Sequence, residues 1–164
     1  MHSTVPIVVA DATREDMPLI LANTAFCKMT GRTEDEVLGR NCRFMQPQGG
    51  AGPATARIRA FLEDPGVEDG NFILPNERKD GSRFLNLLYL VKIRDDEQTR
   101  LVLGSQFDIS AESMDQLRAY GNALQADLDA MNTALQTAGF RAMSQDTDLD
   151  ETLAYVETYR RMLD

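Results

Sequence analysis

A cysteine at position 42 sits between an amide and a guanidinium in the run GRNCRFMQ, residues 39–46. Asn41, Arg43 and Gln46 give that thiol two amides and a cation for company, with Phe44 and Met45 as an apolar pair. Three further amides, Asn76, Asn86 and Gln106, fall at positions that share a face if the later part of the chain forms strands. A buried amide left unpaired costs on the order of 1–3 kcal/mol, so polar side chains repeated on one inward face point to a polar ligand lying across a sheet. Arg43 and Arg59 suit an anionic tail on that ligand, because a guanidinium fork matches phosphate geometry. The chemistry on offer is one thiol beside a bound, edge-polar, anionic molecule.

The remainder of the 164 residues narrows what that chemistry can be. His2 is the sole histidine, next to the first residue, so the body of the chain has none for a triad or a histidine metal site. Cys27 and Cys42 are the two cysteines and lie in no CxxC or Cys/His cluster. Cys27, in AFCKMTG, has no polar company and reads as a packed structural residue. Lys+Arg of 17 against Asp+Glu of 26 gives a net charge of −9, which repels nucleic acid and anionic membranes, and no basic patch overrides it. No apolar run approaches the roughly 18–20 residues of a membrane span, and the amino terminus lacks a basic region followed by an apolar core. A cytoplasmic protein is expected.

These residues need elements to hold them in place. Residues 6–10 and 19–22 are short aliphatic runs separated by the turn-rich DATREDMP, which predicts two strands of a hairpin. Asn23 caps a short helix ended by Gly31, and Thr33 with Glu36 makes a capping box ahead of Val37 and Leu38. After PQGGAGP, Pro53 opens a helix carrying Ile58, Phe61 and Leu62 on one side, stopped by Pro65 and Gly66. Residues 71–75 and 83–93 flank KDGS, whose Asp80-Gly81 pair suits a hairpin turn, and residues 100–109 make a last strand. The sum is an α+β domain with a five-stranded antiparallel sheet and short helices grouped on one face. In FLNLLYLV, Phe84, Asn86, Leu88 and Leu90 share one face and Leu85, Leu87, Tyr89 and Val91 the other. Both faces are apolar enough that something must cover the second, another segment or another subunit.

The pattern changes near Ser110, which divides the chain into residues 1–110 and a helical extension over residues 111–164. Met114, Leu117, Gly121, Leu124, Leu128, Met131, Leu135 and Ala138 recur at spacings of three and four, a heptad seam weakened at Gly121. Gly139 terminates that helix. Residues 144–148 offer caps, and Leu149, Leu153, Val156 and Leu163 form a second stripe, so a helical hairpin is expected.

The run GRNCRFMQ resembles the signature of the LOV (light, oxygen, voltage) branch of PAS domains, which bind a flavin and sense blue light. IVVADA, PLILANTAFCKMTGRTEDEVLGRNCRFMQ, ARIRAFL, NERKDGSRFLNLL and LGSQFDIS follow in the family's order, from about Ile7 to Ile109. The resemblance implies that Cys42 is the photoactive thiol, bonding reversibly to the 4a carbon of FMN after blue-light excitation. It assigns the phosphate to Arg43 and Arg59, the ribityl chain and phosphate end to Asn41 and Gln46, and the polar ring edge to Asn76 and Asn86. Gln106 would face ring nitrogen five and turn its amide when that nitrogen is protonated, since an acceptor has become a donor. Leu88 and Phe84 are placed against the ring in preference to Ile58 or Leu62. Two residues depart from the family: Met45 stands where leucine is usual, with a thioether expected to alter adduct lifetime, and Glu77 stands where an aromatic is frequent, at an expected exposed site.

The implied function is a short blue-light photoreceptor with no enzymatic activity of its own. It would signal through helix and homodimer rearrangement to a downstream partner, with residues 111–138 as the dimer seam and docking on the chain's own sheet as the alternative. A sensor fragment of a longer histidine kinase is the competing reading, although no phosphoacceptor histidine follows Ile109. A redox flavoprotein using Cys42 is weaker, for want of a resolving cysteine or a nicotinamide fingerprint.

Overall fold

The computed structural model describes residues 4–110 and 113–142 and, within the tail, Ala154, Val156 and Thr158. Strands β1 (Ile7–Asp11) and β2 (Leu19–Ala22) pair antiparallel as the expected hairpin. Helices α1 (Thr24–Thr30), α2 (Glu34–Val37) and α3 (Pro53–Glu63) follow, with a single 3-10 turn at Cys42–Met45 between the last two. The chain then lays down β3 (Asp69–Glu77), β4 (Arg83–Arg94) and β5 (Thr99–Asp108) as an antiparallel meander and enters α4 (Met114–Thr137). Strand order is β2-β1-β5-β4-β3, the five-stranded sheet expected. A two-residue β6 (Arg141–Ala142), which no sequence signal announced, pairs with Ile93 and Arg94 at the far end of β4.

The local signals behave as their chemistry dictates. Asn23 Oδ1 accepts from Phe26 N at 3.0 Å to cap α1 and from Ile7 N at 3.0 Å, while its Nδ2 donates to Val5 O at 2.7 Å, so one side chain joins α1 to β1. Thr33 and Glu36 form the reciprocal capping box of α2, and Pro53 occupies the first turn of α3. The two faces of β4 separate as the alternation requires. Leu88 and Leu90 join Phe61, Phe72, Leu74 and Val102 beneath α3, with Phe61 and Phe72 meeting edge to face at 5.6 Å between ring centres. Tyr89, Val91 and Ile93 lie on the opposite face with Ile7, Val9 and Leu103.

That second face is covered by the chain itself. Leu124 and Leu128 of α4 pack among Val91, Ile93 and Leu103, and Leu117 packs with Ile73, Leu87, Phe107 and Ile109. The three most buried leucines of the seam, Leu117, Leu124 and Leu128, thus pack on the chain's own sheet, the arrangement named above as the alternative to a dimer seam. Val156, fully buried, joins the cluster around Leu117. Ala154, Val156 and Thr158 are helical, while the predicted caps at 144–148 and Leu149, Leu153 and Leu163 of the second stripe lie outside the described residues.

Candidate functional site

Between the helical layer and the sheet lies a cavity whose walls come from β1, β2, the 3-10 turn, α3 and the three long strands. The sheet supplies the amides. Leu74 is opposite Asn86, Asn76 opposite Phe84, and Leu88 opposite Gln106 in the strand register, so Asn76, Asn86 and Gln106 run as an oblique row across β3, β4 and β5. All three are buried, at 2 %, 1 % and 1 % exposure, and all three line the cavity. Asn86 Nδ2 donates to Asn76 Oδ1 at 2.8 Å, and Asn76 Nδ2 donates to Pro75 O at 2.9 Å. Gln106 Nε2 donates to Gly104 O at 3.2 Å. Two acceptors in this row remain without partners, Asn86 Oδ1 and Gln106 Oε1. Each orphan carries a desolvation cost of about 1–3 kcal/mol that a donor on a bound molecule would recover.

The 3-10 turn supplies the facing wall. Asn41 caps it, its Oδ1 accepting from Arg43 N at 3.0 Å, and Cys42, Arg43, Met45 and Gln46 all line the cavity. Cys42 is half-buried against the cluster of Val8, Leu19, Phe26, Val37 and Met45, and burial pushes its thiol up to about 12. Cys27 packs on the same cluster but does not reach the cavity, and burial raises its thiol as well. Arg43 sits exposed at the mouth, where its Nη2 pairs with the Asp16 carboxylate, while Asn41 Nδ2 donates to Asp16 O at 2.7 Å.

Not every expected residue lies in the cavity wall. Arg59 is exposed on α3 and lies outside the cavity wall, because Ala54, Ile58, Phe61 and Leu62 take the inward face and Arg59 is turned about 100° from Ile58. Ile58 and Leu62 do line the cavity, as does Leu88, whereas Phe84 does not. Its ring carries the Arg78 guanidinium at 4.4 Å, and Arg78 in turn donates to Met29 O at 3.0 Å and pairs with Asp108 at 2.7 Å. Phe84 thus belongs to a clamp between α1 and the sheet. Glu77, expected to be exposed, is half-buried at the end of β3 and pairs loosely with Arg83 at 3.6 Å.

Wall residues that sequence reasoning passed over include Val8, Leu19, Met17 and Gly104. Gly104 did carry a signal, since glycine inside a strand marks close approach. A Cβ there would meet Val8 Cγ2 and Leu90 Cδ2, both at 3.3 Å.

A cavity between a mixed α/β layer and one face of a five-stranded antiparallel sheet, with amides on the sheet and a helical turn opposite, is the PAS arrangement. The chain belongs to the PAS domain family, which it matches over residues 4–111. Within it the chain is a LOV domain, of the branch that comprises blue-light photoreceptors. It is 38% identical over 110 residues to a blue-light-activated histidine kinase of Rhizobium johnstonii, covering 66% of this chain and 31% of that protein. It is 35% identical over 110 residues to a blue-light photoreceptor of Listeria monocytogenes, covering 67% of this chain and 43% of that protein. The chain thus spans less than half the length of these curated relatives. The solved LOV protein of Rhodobacter sphaeroides is 28% identical and superposes with a TM-score of 0.83 over 98% of this chain and 91% of its own, so the likeness extends into the C-terminal helix.

Proposed function

We propose that this chain is a blue-light sensor that binds FMN in the cavity and uses Cys42 as its photoactive thiol. The observation that carries the reading is the pair of orphaned acceptors, Asn86 Oδ1 and Gln106 Oε1, buried in a wall otherwise made of Leu74, Leu88 and Leu90. Such a wall suits a flat apolar ring with N–H donors along one edge. A bound flavin would supply blue-light absorption and a ring carbon able to accept the Cys42 sulfur in a reversible covalent bond. Asn76 and Asn86 hold the ring edge, Asn41 and Gln46 lie toward the ribityl end, and Arg43 at the mouth holds the phosphate. Arg59, exposed on α3 outside the wall, is the second cation proposed for the phosphate. Cys42 keeps its proton in the dark because burial disfavours the thiolate.

Gln106 serves as the relay. Its Nε2 is committed weakly to Gly104 O at 3.2 Å and its Oε1 is free, so the amide can turn to exchange donor for acceptor when the ligand's protonation changes. The response passes to the extension, residues 111–164, while residues 1–110 remain a sensor without catalytic output. Association of two copies through the C-terminal helices is tied to this step, because Leu117, Leu124 and Leu128 cannot serve the sheet and a partner at once.

Illumination of the flavin-loaded protein should bleach the blue absorbance band, with thermal recovery in the dark. Cys42→Ala should abolish bleaching and leave the flavin bound, since the thiol contributes little binding surface. Bleaching that survives this substitution would refute the assignment of Cys42.

A further inference from the structure

Residues 12–18 carry the chain from β1 to β2 at the mouth of the cavity, and two of them, Asp16 and Met17, hold positive φ angles of 63° and 44°. Neither is glycine, and such conformations cost about 1–3 kcal/mol and persist only where the surroundings impose them. The 3-10 turn imposes them here. Asn41 Nδ2 holds the Asp16 carbonyl at 2.7 Å, Arg43 Nη2 holds the Asp16 carboxylate, and Met17 contributes its side chain to the cavity wall. Among the described residues Arg43 is the one cation in that wall. It is already committed to a carboxylate before a ligand arrives.

We propose that Asp16 is a specificity-determining residue, setting how strongly the site distinguishes a phosphorylated flavin from an unphosphorylated one by competing with the phosphate for Arg43. The inference rests on the flavin reading above. A phosphate monoester carries about −1.5 to −2 charge near neutral pH and would take Arg43 through paired N–H donors. The Asp16 carboxylate opposes it twice, by occupying a nitrogen of the guanidinium and by placing a negative charge beside the incoming dianion. Neither effect acts on riboflavin, whose side chain ends in a hydroxyl. Arg59, exposed on α3 beside the lining residue Ile58, carries no part of this contest, which is confined to Arg43 and Asp16. The side chains of Arg43 and Asp16 are 56% and 59% exposed, so solvent screens the contest and it shifts an affinity ratio rather than closing the site to either ligand.

The test compares dark binding of FMN and of riboflavin to the flavin-stripped full chain, followed by flavin fluorescence. Asp16→Asn removes the charge, tolerates positive φ, and leaves the main-chain carbonyl that Asn41 holds. The ratio Kd(riboflavin)/Kd(FMN) should rise about three- to tenfold in Asp16→Asn. It should fall in Arg43→Gln, and adding Asp16→Asn to Arg43→Gln should then raise it by clearly less than Asp16→Asn does alone. Should Asp16→Asn fail to fold, Asp16→Ser carries the same expectation. An unchanged ratio in the single variant, or an equal rise with and without Arg43, would overturn the competition. Failure of the wild-type chain to bind either flavin would instead overturn the flavin reading.

Discussion

Cys42 sits against Val8, Leu19 and Met45, and its thiol is pushed from an ordinary value of 9.0 up to about 12 by burial. A rise of that size lowers the thiolate population at neutral pH by roughly a thousandfold. Alkylation of Cys42 by iodoacetamide in the flavin-stripped protein, resolved by peptide mass, should therefore climb about tenfold per pH unit from 7 to 11; a plateau near pH 9 would show the sulfur to be wet. The same burial has a consequence for folding. Because the folded chain favours the neutral thiol, the stability this group contributes is complete below pH 9, the unfolded value, and is lost as pH rises toward 12. At this scale the sequence was informative wherever residue type and period sufficed. Asn41, Cys42, Arg43, Gln46, Asn76, Asn86, Leu88 and Gln106 all meet around one cavity, placed by an eight-residue run and by strand alternation. Arg59 lies outside that wall, one residue past Ile58 on the face of α3 that the apolar stripe leaves to solvent. Asp16 and Met17 were invisible because a loop's contacts depend on what folds beneath it.

Elements depend on groups that no periodicity reveals, and Lys92 of β4 is the clearest case. It is 2 % exposed, and its Nζ donates to Phe61 O at 2.7 Å, Asp64 O at 2.6 Å and Val67 O at 2.7 Å. Those carbonyls belong to the end of α3 and the turn after it, where Phe61 O and Asp64 O otherwise accept only long bonds, from Asp64 N at 3.3 Å and Val67 N at 3.4 Å. The ammonium also lies 4.5 Å from the centre of the Phe61 ring, so a strand residue fixes the helix that carries Ile58 and Leu62 into the cavity wall. Burial, with Arg94 nearby, lowers the Lys92 pKa, a cost accepted because three acceptors converge on one donor. Lys92→Met should destabilise the fold by roughly 2–4 kcal/mol in urea denaturation, since it removes three charge-assisted hydrogen bonds from these carbonyls while keeping the volume. It should also weaken ligand binding by loosening α3. A loss below 0.5 kcal/mol would show the carbonyls to be solvated. In the sequence, Lys92 in LVKIR reads as an ordinary charged residue in a strand, so its burial could not be foreseen. The strands and caps were legible because their chemistry is local. The direction in which α4 turns its stripe was not, because apolar residues spaced by three and four fit the chain's own sheet and a second copy equally well.

Across the whole molecule, the cavity and α4 occupy opposite faces of the same sheet, and β5 is one of the strands they share. Gln106 points into the cavity; Ser105, the residue before it, points the other way, is fully buried, and shares a hydrogen bond of 2.6 Å with the Tyr120 hydroxyl of α4. Tyr120 also packs on Phe107, the residue after Gln106, at 4.8 Å between ring centres. Burial raises the Tyr120 hydroxyl well above the usual tyrosine range, so it remains a neutral donor and acceptor at any physiological pH. A turn of the Gln106 amide that shifts β5 by a fraction of an ångström therefore strains a contact made by the helix itself. The three leucines of α4 provide most of its hold on the sheet, at roughly 2–5 kcal/mol each on truncation, while the hydroxyl pair is worth about 1–2 kcal/mol. That disparity separates docking from signalling. Tyr120→Phe should leave α4 docked, lower stability by only about 1–2 kcal/mol and preserve light-induced bleaching. It should reduce the light-dependent change in hydrogen exchange along residues 113–137, measured on lit and dark samples of the same preparation. Undiminished exchange differences in that variant would mean the signal leaves β5 by another contact, and loss of bleaching would mean that Tyr120 supports the cavity rather than the helix.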